Sequence, residues 1–143
     1  MSRFKTKQSF IDHLLANLPS GVADGDVARE NQKPPFDPAG KTLWLDTHWQ
    51  EASSSATGKT QASSVEQRGF FQIDVNVPLV DYFDDNLLLS ITDELSSVSN
   101  EGTTIVYNDQ SVDLLENATS NASENGAWYR RTFTTNYLTF SNR

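Results

Sequence analysis

The chain has 143 residues, 36% of them hydrophobic and 10% aromatic, with no cysteine and a formal net charge of −8 at pH 7. A domain of that length buries roughly two thirds of its unfolded surface unaided, and the absence of cysteine excludes disulfide frameworks, thiolate nucleophiles and cysteine-based zinc sites. The acidic balance repels phosphate backbones, which argues against affinity for nucleic acid, and no run of about 18 apolar residues is present to span a membrane.

The first predicted element is a helix over residues 3–18. Phe4, Ile11, Leu14, Leu15 and Leu18 share a face, Ser2 is placed to cap the start, and Pro19, Ser20 and Gly21 stop it. The N-terminus is polar and charged and lacks the apolar core of a secretion signal. Residues 20–41 are irregular, broken by Gly25, Pro34, Pro35, Pro38 and Gly40, with a short strand at Val27–Arg29. Residues 42–50 alternate: Leu43, Leu45, Thr47 and Trp49 point one way, and Thr42, Trp44, Asp46 and His48 the other. Residues 70–77 alternate too, with Phe71, Ile73, Val75 and Val77 on one face and Gln72, Asp74 and Asn76 on a solvated one. The two runs are expected to be neighbouring antiparallel strands.

Between them lies EASSSATGKTQASSVEQRG, Glu51–Gly69, whose only large aliphatic residue is Val65. It reads as the tip of a hairpin, far longer than the usual two to five residues. Ordering it alone costs backbone entropy of about 1–2 kcal/mol per residue with little apolar burial in return. Residues 51–67 are therefore expected to be mobile in the free subunit and to order against a neighbouring one.

Pro78 ends the second strand. Asp81 is placed to N-cap a helix over residues 82–98, with Asp84 and Asp85 favourable in its first turn and Leu87, Leu88, Ile91, Leu95 and Val98 as its apolar stripe. Residues 103–109 and 111–118 read as strands, residues 120–126 as a turn, and residues 127–140, rich in Thr and aromatics, as a long final strand. The expected fold is one α+β domain over residues 1–143: a mainly antiparallel sheet, two helices packed on one face, and a long β-hairpin loop.

No catalytic set emerges. Residues 53–60, SSSATGKT, resemble the end of a phosphate-binding loop, but Ser53 stands where the first glycine belongs, and no helix follows Thr60 to face the phosphates. Asp46 and His48 share a strand face as a carboxylate–imidazole pair, yet no G-x-S-x-G nucleophile elbow accompanies them. Asp81, Asp84, Asp85, Asp93 and Glu94 suit a helix dipole and a solvated helix face better than a metal site. Of the tryptophans, Trp49 falls on the apolar face, whereas Trp44 shares its face with polar residues and is expected to be exposed as an interface anchor. No catalytic residue, cofactor or metal site is expected.

Three segments in order, ARENQKPPFDPAGKTLWL (28–45), RGFFQIDVNVP (68–78) and GAWYRRTFTTNYL (126–138), resemble the tail terminator (tail completion) proteins of long-tailed bacteriophages. Asn31, Pro35, Phe36 and Pro38 match the family's first segment, with extra residues between Asn31 and Pro35. Gln72, Ile73, Asp74, Val75 and Pro78 match the second, and Gly126, Trp128, Tyr129 and Arg130 the third. The resemblance implies a structural virion protein of the tail, at the tube–neck junction, assembled in the host cytoplasm. It implies a homo-oligomeric, hexameric ring that caps the tail tube protein, stops polymerisation and docks the neck or head completion protein, with DNA passing through the lumen unbound. Within such a ring, Trp44, Glu51, Lys59, Glu66 and Arg68 are the expected subunit-interface residues. Two other readings stay open: a tail-tube or head–tail connector subunit, and a small ligand-binding or enzymatic α+β domain. The second would need a deep pocket lined by Trp44, Asp46 and His48.

Overall fold

The computed structural model describes residues 3–30, 32–56, 64–78, 85–107 and 110–142. Helix α1 spans Arg3–Ala16, and a turn of 3-10 helix at Asp24–Asp26 leads into the two-residue strand β1, Val27–Ala28. Then follow β2 (Trp44–Ala56), β3 (Ser64–Pro78), helix α2 (Asp85–Val98), β4 (Thr104–Tyr107), β5 (Gln110–Thr119), β6 (Ser123–Asn125) and β7 (Trp128–Asn142). Among the described residues one mixed sheet runs in the order β1-β2-β3-β7-β5-β4, with β6 also paired to β7. β1 is parallel to β2, and the other pairings are antiparallel.

The alternation of the central strands sets the core. Leu45 lies opposite Val75, Thr47 opposite Ile73 and Trp49 opposite Phe71, and on the far side of β3, Ile73 faces Phe133 and Phe71 faces Thr135. Leu88, Ile91 and Leu95 of α2 are buried. Phe10 and Leu14 of α1 and Leu95 of α2 line the same small interior gap as Phe71, Ile73, Phe133 and Thr135. His13 ties the helices together through a contact of 2.8 Å between its Nε2 and the Val98 carbonyl.

Helix α1 buries Ile11 and Leu14 of the expected stripe, with Leu15 and Leu18 packed at its margin, but its first turn differs. Phe4 is 67% exposed, while Phe10 is buried and stacks on Phe71 with ring centroids 4.7 Å apart. Thr6 and Ser9 share the buried face. That is tolerable because the Ser9 hydroxyl donates to the Thr6 carbonyl at 2.6 Å, so burial leaves the hydroxyl satisfied.

The hairpin corrects the reading of Glu51–Gly69 as a loop. β2 and β3 stay paired as far as Ala56 opposite Val65, so residues 51–56 and 64–67 are strand within a single subunit, and residues 57–63 lie outside the described residues. The physical reason is a third strand. β7 pairs with β3 through Ser64 opposite Asn142, and ladder hydrogen bonds need no apolar side chains. The turn expected over residues 120–126 contains a short strand: β6 pairs Ser123–Asn125 with β7, and the chain reverses at Gly126, whose φ of 61° suits glycine.

Two β-bulges sit at one level of the sheet, between Glu51 and Ser53 in β2 and between Leu114 and Asn117 in β5. They flank the Gly69–Tyr137 pair, and bulges increase local twist. A Cβ on Gly69 would stand 2.1 Å from the Gln50 carbonyl oxygen and 2.8 Å from the Tyr137 hydroxyl oxygen. Gly69→Ala is expected to cost about 1–3 kcal/mol, the range for overpacking, read as a lower urea midpoint. Gly25→Ala is the control and should leave the midpoint in place, since nothing lies within 4 Å of its added Cβ.

Candidate functional site

The sheet face away from the helices was expected to be solvated polar strand, and at its centre it is not. Asp74 is 2% exposed and Asn76 fully buried. The register explains why these residues meet: Trp44 lies opposite Asn76 and Asp46 opposite Asp74, and across β3, Asn76 lies opposite Arg130 and Asp74 opposite Thr132. Burial of a carboxylate demands donors. Thr132 Oγ1 donates to Asp74 Oδ1 at 2.7 Å, and Gln72 Nε2 donates to the same oxygen at 3.1 Å. Arg130 donates from Nε to Asn76 Oδ1 at 2.9 Å and holds NH1 3.5 Å from Asp74 Oδ2.

Asp46 and His48 do come together, and Asp74 joins them. His48 Nε2 is 3.3 Å from Asp46 Oδ2 and 3.4 Å from Asp74 Oδ2, and Glu30 Oε1 is 3.8 Å from His48 Nδ1. The three donor atoms of Asp46, His48 and Asp74 lie within 4.8 Å of one another. Burial raises the Asp46 pKa above the ordinary carboxylate value, and the Asp74 charge adds to the rise, while His48 and Arg130 oppose it. Asp74 was missed from sequence because its place on the polar side of an alternating strand reads as solvent-facing. The available signal was its face: any hairpin register that keeps the apolar sides together puts Asp74 on the same side of the sheet as Asp46 and His48.

At the end of this face stands an aromatic cluster. Trp44, expected to be exposed, is only 7% exposed, because Phe36 packs at 5.0 Å on one side and Trp128 meets it edge-on at 5.5 Å. The irregular segment before β2 folds back over its own sheet. Phe36, Trp44, Asp74, Asn76, Trp128 and Arg130, drawn from three distant sequence segments, therefore form one contiguous site. Lys41 pins this segment by a 2.8 Å bond from Nζ to Asp26 Oδ1. That bond, followed by one from the Ala23 N–H, lowers the Asp26 pKa. A depressed folded-state pKa gives stability that is present above the unfolded value, about 3.8, and is lost as pH falls through the folded one. For a surface pair, Lys41→Met is expected to cost at most about 1 kcal/mol at neutral pH and less in acid, once Asp26 is protonated, in urea melts at the two conditions.

The far end of the face is the hairpin arm. Arg68 is exposed and paired within its own strand to Glu66, Nε to Oε1 2.6 Å. Glu51 is half-buried at the bulge, and Lys59 lies outside the described residues, as do Gly58 and Thr60. Ser53 is an exposed residue of β2 opposite Arg68, so the position of the first phosphate-loop glycine is paired strand. A groove of roughly 290 Å3, lined by Ala52, Ser53, Arg68, Phe70, Leu115 and Glu116, lies between the bulges. Phe140, opposite Glu66 of the arm, is 47% exposed, and Val106, on the edge strand β4, is 63% exposed. Both were read from sequence simply as strand residues.

The described face carries hydrogen-bonded and packed side chains over a long sheet. The sequence matches the phage tail terminator protein family over residues 11–137, and the chain belongs to that family. The family is structural and non-enzymatic, which places the chain among the tail proteins of the virion, where it interacts with other phage tail or head proteins. A solved structure 17% identical in sequence shares the fold, with a TM-score of 0.65 over 93% of this chain and 94% of that one. No curated protein matches the sequence significantly. Among the described residues no helix is long and apolar enough to cross a membrane.

Proposed function

We infer that the chain assembles into a closed ring, of six subunits in the reading favoured here, which caps the tail tube, stops its polymerisation and offers a docking surface to the neck. Family membership supports this, and the observation that carries it is the pair of unlike sheet edges. β1 covers β2 only at Leu45 and Asp46, so among the described residues the arm of β2 beyond Glu51 has no strand on its outer side. The opposite edge is β4. Unpaired edges are templates for pairing with another chain. Two different edges on opposite sides suit a head-to-tail contact, which closes into a ring when the rotation allows.

In this reading Glu51, Glu66 and Arg68 on the arm, together with Lys59, contact a neighbouring subunit. Trp44 lies at the other end of the face, covered by Phe36 and Trp128 of its own subunit. Six copies would carry a net charge of about −48 before counterions, a field that lets DNA pass through a lumen without adhering. Assembly would take place in the host cytoplasm, with the finished ring at the tube–neck junction.

The test is native mass measurement with negative-stain microscopy of the purified protein. Closed rings are expected. Long tubes would reassign the chain to a tail-tube or connector role, and a monomer at every concentration would contradict the ring.

A further inference from the structure

We propose that Asp46, His48 and Asp74 form a binding site for one divalent transition-metal ion of the zinc or cobalt type, on the outer face of the sheet. The ligands are one imidazole nitrogen and two carboxylate oxygens, a borderline set that favours such ions over magnesium or calcium. Bonds of about 2.0–2.1 Å in a tetrahedral site put neighbouring ligand atoms about 3.3–3.4 Å apart. The Nε2–Oδ2 separations are 3.3 Å to Asp46 and 3.4 Å to Asp74, so two edges of the coordination polyhedron already stand at that spacing. All three ligands sit on adjacent paired strands, with Asp46 directly opposite Asp74, and rigid strands hold a ligand set better than loops do.

The surrounding residues orient the donors. Thr132 and Gln72 both donate to Asp74 Oδ1, which turns Oδ2 toward His48. Glu30 Oε1 lies on the Nδ1 side of the imidazole and is itself fixed by the Trp49 N–H at 3.0 Å. An ion on Nε2 would leave the ring proton on Nδ1, the side on which this carboxylate stands, as is usual behind a metal-bound histidine. Charge points the same way. Asp46 and Asp74 share the guanidinium of Arg130, which is tethered to Asn76 and lies 3.5 Å from Asp74 Oδ2, while Glu30 is paired with Lys7 at 3.3 Å. Two like charges directly opposite on neighbouring strands repel, and a divalent cation between them removes that repulsion. The His48 side chain is 42% exposed and that of Asp46 26%, so the site opens to solvent and water would complete the coordination.

The experiment uses the full chain, stripped with EDTA and titrated with Co2+ and Zn2+ by calorimetry and visible absorption. One ion per chain is expected, with the intense visible band of four-coordinate cobalt and a rise in melting temperature on loading. His48→Gln and Asp46→Asn should each weaken binding by roughly tenfold or more. His13→Gln, which alters the chain's other histidine, should leave it unchanged. The site is overturned by the absence of saturable binding below about 1 mM. It is equally overturned if Asp46→Asn weakens binding while His48→Gln does not, because that pattern reports diffuse attraction to carboxylates.

Discussion

Ile73→Ala is expected to destabilise the subunit by about 2–5 kcal/mol, the range for truncating a buried aliphatic side chain, whereas the adjacent Gln72→Ala should cost about 1 kcal/mol. Ile73 is 3% exposed. It lies between Thr47 and Phe133 on the neighbouring strands and borders the interior where Leu14 and Leu95 meet the sheet. The β-branched side chain fits the pleated surface, and the rigid strands around it cannot collapse into the space it leaves. Gln72 points to the other face and donates one bond to Asp74 Oδ1, and that oxygen keeps its bond from Thr132 when Gln72 is shortened. Urea melts of the two variants separate the cases. A larger loss from Gln72→Ala would mean that β3 is shifted by one residue, since a one-residue slip exchanges the two faces of a strand.

How legible each element was depended on whether its side chains or its neighbours decide its structure. The faces of residues 42–50 and 70–77 were readable because apolar alternation is a property of the strand itself. The arm was not. Residues 51–56 and 64–69 have almost nothing to bury, and they are strand because β7 extends alongside β3 to Asn142, a pairing between residues far apart in sequence. Helix α1 was found with Ile11 and Leu14 on its buried face as expected, but Phe4 was wrongly included and Phe10 omitted. Phe10 rather than Phe4 faces the sheet because Phe71 and Tyr137 supply the matching surface, and only the tertiary arrangement brings those rings together. Two components of the polar site were visible, in Asp46 and His48 two residues apart. Asp74 and Arg130 entered through cross-strand register. Trp44 was misjudged for the same reason, since its cover comes from Phe36 and Trp128, neither of them a near neighbour in the chain.

Shortening the arm should separate folding from assembly. Replacing residues 55–66 by Asn-Gly keeps Ser54 opposite Gln67, which is the next pair of the native register, and closes the hairpin with a two-residue turn whose twist matches the strands. Gln67 is 1% exposed and is retained, as is Gly69 beneath Tyr137, so the packed part of the sheet is untouched. The lost pairs, Ser64 with Asn142, Val65 with Ser141 and Glu66 with Phe140 on β7 and Ser55 with Glu66 and Ala56 with Val65 in the hairpin, lie at the sheet's end. The variant is therefore expected to be a folded, soluble monomer whose melting transition stays within a few degrees of the parent's monomer. In the ring reading, however, the removed segment is what extends the open edge of β2 toward a neighbour, and it carries Lys59 and Glu66. Its loss should abolish ring formation and tube capping together, as read by native mass measurement and by the length distribution of tubes grown with and without the protein. Arg68→Glu, which reverses one charge on an intact arm, should weaken assembly without abolishing it, because backbone pairing along the edge survives. Rings of normal stability from the shortened chain would show that the arm is only a surface feature, and the subunit contact would then have to be sought around the exposed Phe140 and Val106.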